Sequence, residues 1–413
     1  MKNLKTLVAH PLFRIFQNPI FLFVMWMCIT LVCCIFKLAQ GRYNNFLIFR
    51  QSYWDALAQI SLYLENLNAY LYGISFTVLI APFAVLPIPL GMILWCLANT
   101  AFLYYAIRKL EPETWKFTLI IWVSANDLYE AMVYQQYNVG IAAMIILAFV
   151  CIEKKKDFWA ALFIVVGTMT KIYGILGLAF ILFSKRKLHL LWGILFWSIV
   201  FFCLPMIYTS PEYVLSQYRD WLEVLIYKNN LNTFCYYTNI SLLGMVRKIS
   251  QVTTYSDLWL IIPGILLFIA PYFRINQYES KSFRLLYLSS VLLFMILFST
   301  GTEGCGYISA MVAVGIWFVN TPTRKKTPVL NITLLIFCIV LTSLSASGIF
   351  PKYVRVNYVS PYALKALPCV FIWLKIVWEQ LTQNFVTALP ASLTETGKRS
   401  RIDIVLPCYN PYE

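Results

Sequence analysis

A chain of 413 residues that is 60% hydrophobic and only 12% charged is too apolar for a soluble globular protein, in which about a quarter of residues carry charge. Its net charge of +15 fits basic cytoplasmic loops and anionic lipid headgroups rather than nucleic acid. The 11 cysteines lie mostly in apolar runs, no Cys-x-x-C pair occurs, and there are 2 histidines. A structural metal is therefore not expected, and neither is a disulfide framework.

The first apolar run, Ile20 to Leu38, follows Lys2, Lys5 and Arg14. It approaches the ~20 residues that cross ~30 Å of hydrocarbon. No small-residue cleavage site follows, so a retained first span is expected rather than a signal peptide. The segment Ala39 to Tyr72 then lies outside. It carries Asn45, Arg50, Asp55 and Glu65 among Tyr43, Tyr53, Trp54, Tyr63, Tyr70 and Tyr72. Aromatic rings beside carboxylates and amides suit the C–H faces and hydroxyls of sugars. The same residues also mark membrane interfaces.

Four apolar runs follow: Gly73 to Pro87, Leu90 to Ile107, Phe117 to Tyr134 and Asn138 to Ile152. Basic loops at Lys154 to Lys156, Lys185 to Lys187, Arg274 to Arg284, Arg324 to Lys326 and Lys398 to Arg401 are cytoplasmic by the positive-inside rule. An odd number of crossings must then connect Tyr72 to Glu153. One of the four is expected to be a half-helix, most simply near Pro82, Pro87 and Pro89, because proline breaks helices. Asp127 and Glu130, ahead of Gln135-Gln136-Tyr137-Asn138, read as a polar turn facing outside water. The amides could read hydroxyl groups, or Asn138 could cap the next helix.

Phe158 to Phe183 reads as a tight pair of spans with Lys171 at its outer end. An ionisable residue between apolar stretches is a functional candidate. Lys171 could hold a lipid-linked phosphate or snorkel to the interface. A second outer segment, Thr209 to Ser256, holds Tyr218, Trp221, Glu223, Asn239 and Arg247. Further spans run to Trp373, where Lys365 and Lys375 read as snorkelling residues. The sum is an all-α polytopic bundle of about a dozen spans with two structured outer loops and both termini cytoplasmic, expected in a bacterial cytoplasmic membrane.

Residues 1–380 form the membrane domain, 381–400 a polar linker, and 401–413 the start of a β-strand that cannot fold alone. No P-loop, no Gly-x-Gly-x-x-Gly after a strand and no His-Glu-x-x-His is present.

Several short motifs stand in order. They are Asn45-Phe46-Leu47-Ile48-Phe49 with Leu62-Tyr63; Tyr72-Gly73 with Ala81 to Pro87; Trp95 with Asn99; Gln136-Tyr137-Asn138; Lys171-Ile172-Tyr173; and Asn239-Ile240-Ser241-Leu242-Leu243-Gly244. Together they resemble the family 87 glycosyltransferases of the GT-C superfamily, relatives of the polyprenyl-phosphate-dependent mannosyltransferases. The resemblance implies sugar transfer from a polyprenyl-phosphate donor to a glycolipid or glycan acceptor at the outer face, without cofactor or metal. It implies a carboxylate base in the first outer loop and a cation on the leaving phosphate, here Lys171. It makes Tyr63, Tyr72, Gln136, Asn138, Tyr173 and Asn239 substrate-binding candidates.

The chain departs from the pattern at Asn45, where the family has Asp. An amide cannot be a general base. The role would pass to Glu65, then Asp55, or be lost in an inactive relative. A non-enzymatic lipid or glycan transporter is the reading from another class. The tail Asp403-Ile404-Val405-Leu406-Pro407-Cys408-Tyr409-Asn410-Pro411 resembles the opening strand of family 2, GT-A-fold glycosyltransferases.

Overall fold

The computed structural model describes residues 14–63, 70–233, 235, 238–252, 254–321 and 328–386. Glu65, Lys325, most of the linker and the strand-like tail lie outside the described residues. Among the described residues no strand occurs.

The chain begins with α1 (Pro19–Ala39), whose Asn18 side chain accepts from the Ile20 and Phe21 N–H groups, with Pro19 following. This is a standard helix start, because the first N–H groups have no partner within the helix. Next come α2 (Asn44–Leu57) and α3 (Phe76–Ala84). In α2 the buried positions Phe46, Phe49, Ser52 and Ala56 recur at spacings of three and four, one apolar stripe that packs on α3. At 9 residues, with Pro82 inside it, α3 rises about 14 Å and cannot cross a bilayer core. It is the expected half-helix.

Then follow α4 (Ile88–Leu110), α5 (Thr114–Val133), α6 (Asn138–Glu153) and α7 (Asp157–Thr170). Lys171 interrupts α7 in an extended conformation, and the chain continues as a 12-residue 3-10 rod, Ile172–Phe183. The rod explains itself. Its buried residues are Gly174, Gly177 and Phe180, a period of three that matches three residues per 3-10 turn. A Cβ on Gly174 would meet the Gly167 carbonyl carbon at 2.1 Å, so the rod can lie against α7 only with glycine there.

After the rod come α8 (Lys187–Cys203), α9 (Pro211–Asn232), α10 (Leu242–Ser250), α11 (Leu258–Ile269), α12 (Lys281–Leu297), α13 (Tyr307–Asn320), α14 (Pro328–Phe337) and α15 (Leu367–Thr382). Among the described residues, length and apolarity alone mark 4 helices as able to cross a membrane: Pro19–Ala39, Ile88–Leu110, Lys187–Ile207 and Val329–Ala346. The count is 5 if the bent pair Lys352–Val359 and Leu364–Thr382 is one span. These helices have the length and apolarity of membrane spans, and the other apolar rods are shorter.

Polar contacts gather the connections into two sets. In the first, Arg284 holds both oxygens of Glu153 (2.5 and 2.8 Å), Ser184 donates to Asp157 (2.5 Å), and Asn320 donates to Glu111 (2.8 Å). Arg274 reaches the carbonyls of Leu381 and Gln383. This set holds the basic loops. In the second, the two expected outer segments clasp each other. Tyr213 donates to the Ile60 carbonyl (2.6 Å), Trp221 to that of Leu71 (3.0 Å), and the Leu62 N–H donates to Gln217 (2.9 Å). The polar helix α9 is seated by the stripe Tyr213, Val214, Gln217, Trp221 and Val224.

Candidate active site

The second set of connections surrounds Lys171. Its ammonium donates to Asn138 Oδ1 at 2.6 Å and stands 5.3 Å from the Tyr72 ring centroid and 5.5 Å from that of Tyr173. Aromatic faces attract a cation without neutralising it. Among the described residues no carboxylate forms an ion pair with it. The lysine points inward, so the snorkelling alternative does not describe its position. Nor does Asn138 cap α6: its side chain serves Lys171, and no side-chain bond caps that helix.

The partners are fixed by their own neighbours. Gly73 brings Tyr72 close, since its N–H donates to the Thr170 carbonyl (3.0 Å) and a Cβ there would meet the Met169 carbonyl oxygen at 2.2 Å. Tyr72 donates its hydroxyl to Gln136 (3.2 Å), and buried Tyr63 donates to the Tyr72 carbonyl (2.8 Å). The Tyr173 hydroxyl bonds Ser299 (2.7 Å). Trp95 stacks on Tyr137 at 5.3 Å and donates to the Gln135 carbonyl (3.3 Å), which holds the turn ahead of Asn138.

Beside this cluster lies a cavity of about 450 Å³, lined by Glu130, Tyr134, Thr238, Ile240, Glu303, Gly304, Cys305, Ser345, Ala346, Arg355, Val359, Ser360, Ala363 and Lys365. That size suits a small ligand. Asn138 joins the two, because its amide nitrogen lies 4.0 Å from Cys305 Sγ. Cys305 in turn lies 3.5 Å from Glu303.

Three expectations change here. Lys365 does not snorkel: it is 5% exposed, donates to Glu130 at 2.5 Å and to the Gly304 carbonyl at 3.2 Å, and lies 3.9 Å from Asp127. Asp127 and Glu130 do not form a water-facing turn: both belong to α5, and Asp127 is 1% exposed. Asp127 accepts from Ser343 (2.5 Å). A sequence signal for this existed. Two carboxylates three apart share one helix face, and carboxylates in an apolar bundle call for a cation. Lys375, read like Lys365, instead pairs with Glu379 at 2.5 Å.

The other predicted residues separate. Asn45 donates to the Tyr134 carbonyl (2.8 Å), at the cavity's margin. Asp55 accepts from Gln51 (2.7 Å) and does not line the cavity. Asn239 is buried at φ 54°, where Asn is tolerated better than most residues. Its amide donates to the Thr233 carbonyl (3.2 Å) and its oxygen accepts from Ser241 (2.8 Å). It shapes the turn that presents Thr238 and Ile240 to the cavity. Glu303, Arg355 and Cys305 were not singled out from the sequence, since they stand in no recognisable motif.

Neither a curated protein nor a solved structure matches the chain. The model of glycosyltransferase family 87 matches residues 70–300, more than half of the chain. The match includes Tyr72, Gln136, Asn138, Lys171, Tyr173 and Asn239, while Asn45 and Asp55 precede it and Glu303 and Lys365 follow it. A family match of that extent, over an apolar helical bundle whose half-buried Lys171 adjoins a polar cavity, identifies the chain as a member of glycosyltransferase family 87.

Proposed function

We propose that the chain transfers a hexose, mannose foremost, from a polyprenyl-phosphate donor to a hydroxyl of a glycolipid or glycan acceptor. The reaction takes place at the non-cytoplasmic end of the bundle, and the shorter apolar rods cross the membrane along with the long ones, bringing the total to about a dozen. The observation that carries the reading is the placement of Lys171, a cation turned inward onto an amide and two aromatic faces with no ion pair among the described residues.

The acceptor oxygen attacks the anomeric carbon as the bond from that carbon to the phosphate oxygen breaks. The bonding pair leaves with the phosphate, and the added charge falls where Lys171 stabilises it. The polyprenyl chain lies along the apolar bundle and the sugar occupies the cavity, where Arg355 and Thr238 offer donors to its hydroxyls. Tyr72, Gln136, Asn138 and Tyr173 position the lysine.

The test is an assay of purified protein in lipid with labelled polyprenyl-phosphate hexoses and a glycolipid acceptor pool. Transfer of label to the acceptor is expected. Absence of transfer from every donor, with lipid movement across the bilayer instead, would establish the transporter reading.

A further inference from the structure

We propose that Glu303 is the general base of this transfer, an assignment that rests on the glycosyltransferase reading above. Among the described residues the cavity is lined by two carboxylates, Glu130 and Glu303. Glu130 is bound to Lys365 at 2.5 Å, and a carboxylate tied to an ammonium is a poor proton acceptor. Glu303 forms no ion pair among the described residues. Its recorded side-chain partner is the thiol of Cys305, 3.5 Å away, a weak donor.

The loop around Glu303 is held from both sides. The Ile240 N–H donates to the Thr302 carbonyl at 2.8 Å, and the Thr302 hydroxyl donates to the Ile296 carbonyl at 2.8 Å. On the other side, Lys365 donates to the Gly304 carbonyl. A proton acceptor must keep its place relative to the reacting atoms, and these contacts supply that.

The described alternatives in the first outer segment, Asn45 and Asp55, are less well placed. The Asn45 amide is occupied by a backbone carbonyl, and Asp55 lies off the cavity. Glu303 is linked to the Lys171 side through Cys305, which lies 3.5 Å from Glu303 and 4.0 Å from the Asn138 amide nitrogen, while Asn138 accepts from the ammonium. The reaction needs such a pair, one group to receive the proton from the attacking hydroxyl and the other to face the departing phosphate. The proton passes from acceptor oxygen to a Glu303 oxygen as the new carbon–oxygen bond forms. It returns to water after release of the glycoside and the polyprenyl phosphate.

The assignment is tested in proteoliposomes by comparing Glu303→Gln, Glu130→Gln and Glu65→Gln with the unchanged chain. Glu303→Gln should lower kcat by about 100-fold or more, leave KM for the donor within about threefold, and remove the acid limb of the kcat/KM profile. Glu303→Ala should be equally impaired and regain activity with added formate, which a merely structural role would not produce. Thermal unfolding of each variant in detergent separates loss of fold from loss of chemistry. A Glu303→Gln chain that keeps its fold, its rate and its acid limb overturns the assignment. So does a Glu65→Gln chain that alone loses both rate and acid limb. An unchanged chain that transfers nothing from any donor removes the glycosyltransferase reading, and with it this role.

Discussion

Asn45 and Tyr134 are joined across 89 residues by one hydrogen bond, from the Asn45 amide to the Tyr134 carbonyl at 2.8 Å. The bond ties the first turn of α2 to the residue after α5, beside the cavity. It needs a donor at position 45. A carboxylate there would set two oxygens against each other, so the local structure favours an amide at this position.

Asn45→Asp should therefore impair the protein rather than activate it. Loss of the bond is expected to cost about 1–2 kcal/mol at this half-exposed site, with transfer activity unchanged or reduced. Thermal unfolding and initial rates of transfer check this. A gain in rate on restoring Asp would show that the position is catalytic.

Lys171→Ala should lose about 2–4 kcal/mol of transition-state stabilisation, seen as a fall in kcat with a much smaller change in unfolding temperature. Lys171→Arg should recover only part of the rate, because a planar fork does not reproduce a point charge resting on Asn138 and two rings. Donor kinetics that are the same in all three chains would remove the phosphate role.

Lys365→Met leaves Asp127 and Glu130 without their cation. Removing one partner of a buried pair costs about 3–5 kcal/mol, so the variant should unfold at distinctly lower temperature or fail to accumulate. Adding Glu130→Gln should restore part of the loss. Equal stability of single and double variants would show that the pair does not couple.

A cysteine at position 239 should be shielded by burial, while one at 212 on α9 should react with an impermeant reagent added to intact cells. A cysteine at 155 should react only after the membrane is opened, because the positive-inside rule predicts the basic loops inside. Labelling of position 155 from outside would invert the orientation.

The sequence was legible where chemistry and chain position coincide. The interrupted pair around Lys171 stands between two apolar stretches, and Gln136-Tyr137-Asn138 marks a turn, so both could be found by reading along the chain. Their meeting, Lys171 on Asn138 across 33 residues, followed from adjacent antiparallel rods. Lys365 was illegible for the opposite reason. Its partner Glu130 is 235 residues away, and hydropathy cannot tell a lysine that escapes to the headgroups from one that turns inward to a carboxylate. Glu303 was hidden because the short connection Gly301 to Cys305 resembles any polar turn. Only the cavity walls supplied by α5, the turn ahead of α10 and the approach to α15 give it a setting.

The 3-10 rod from Ile172 to Phe183 has a consequence for how deep the reaction lies. Twelve residues reach about 24 Å in this form and about 18 Å as an α-helix. One end carries Lys171, and the other meets Ser184, fastened to Asp157 at the opposite side of the bundle. The rod is thus a ruler. It fixes the height of the lysine above the Ser184–Asp157 anchor, and glycines at 174 and 177 keep its gauge. A substitution that lets it relax into α-helix would draw the ammonium about 6 Å toward that anchor, out of register with Asn138 and with the cavity beside it.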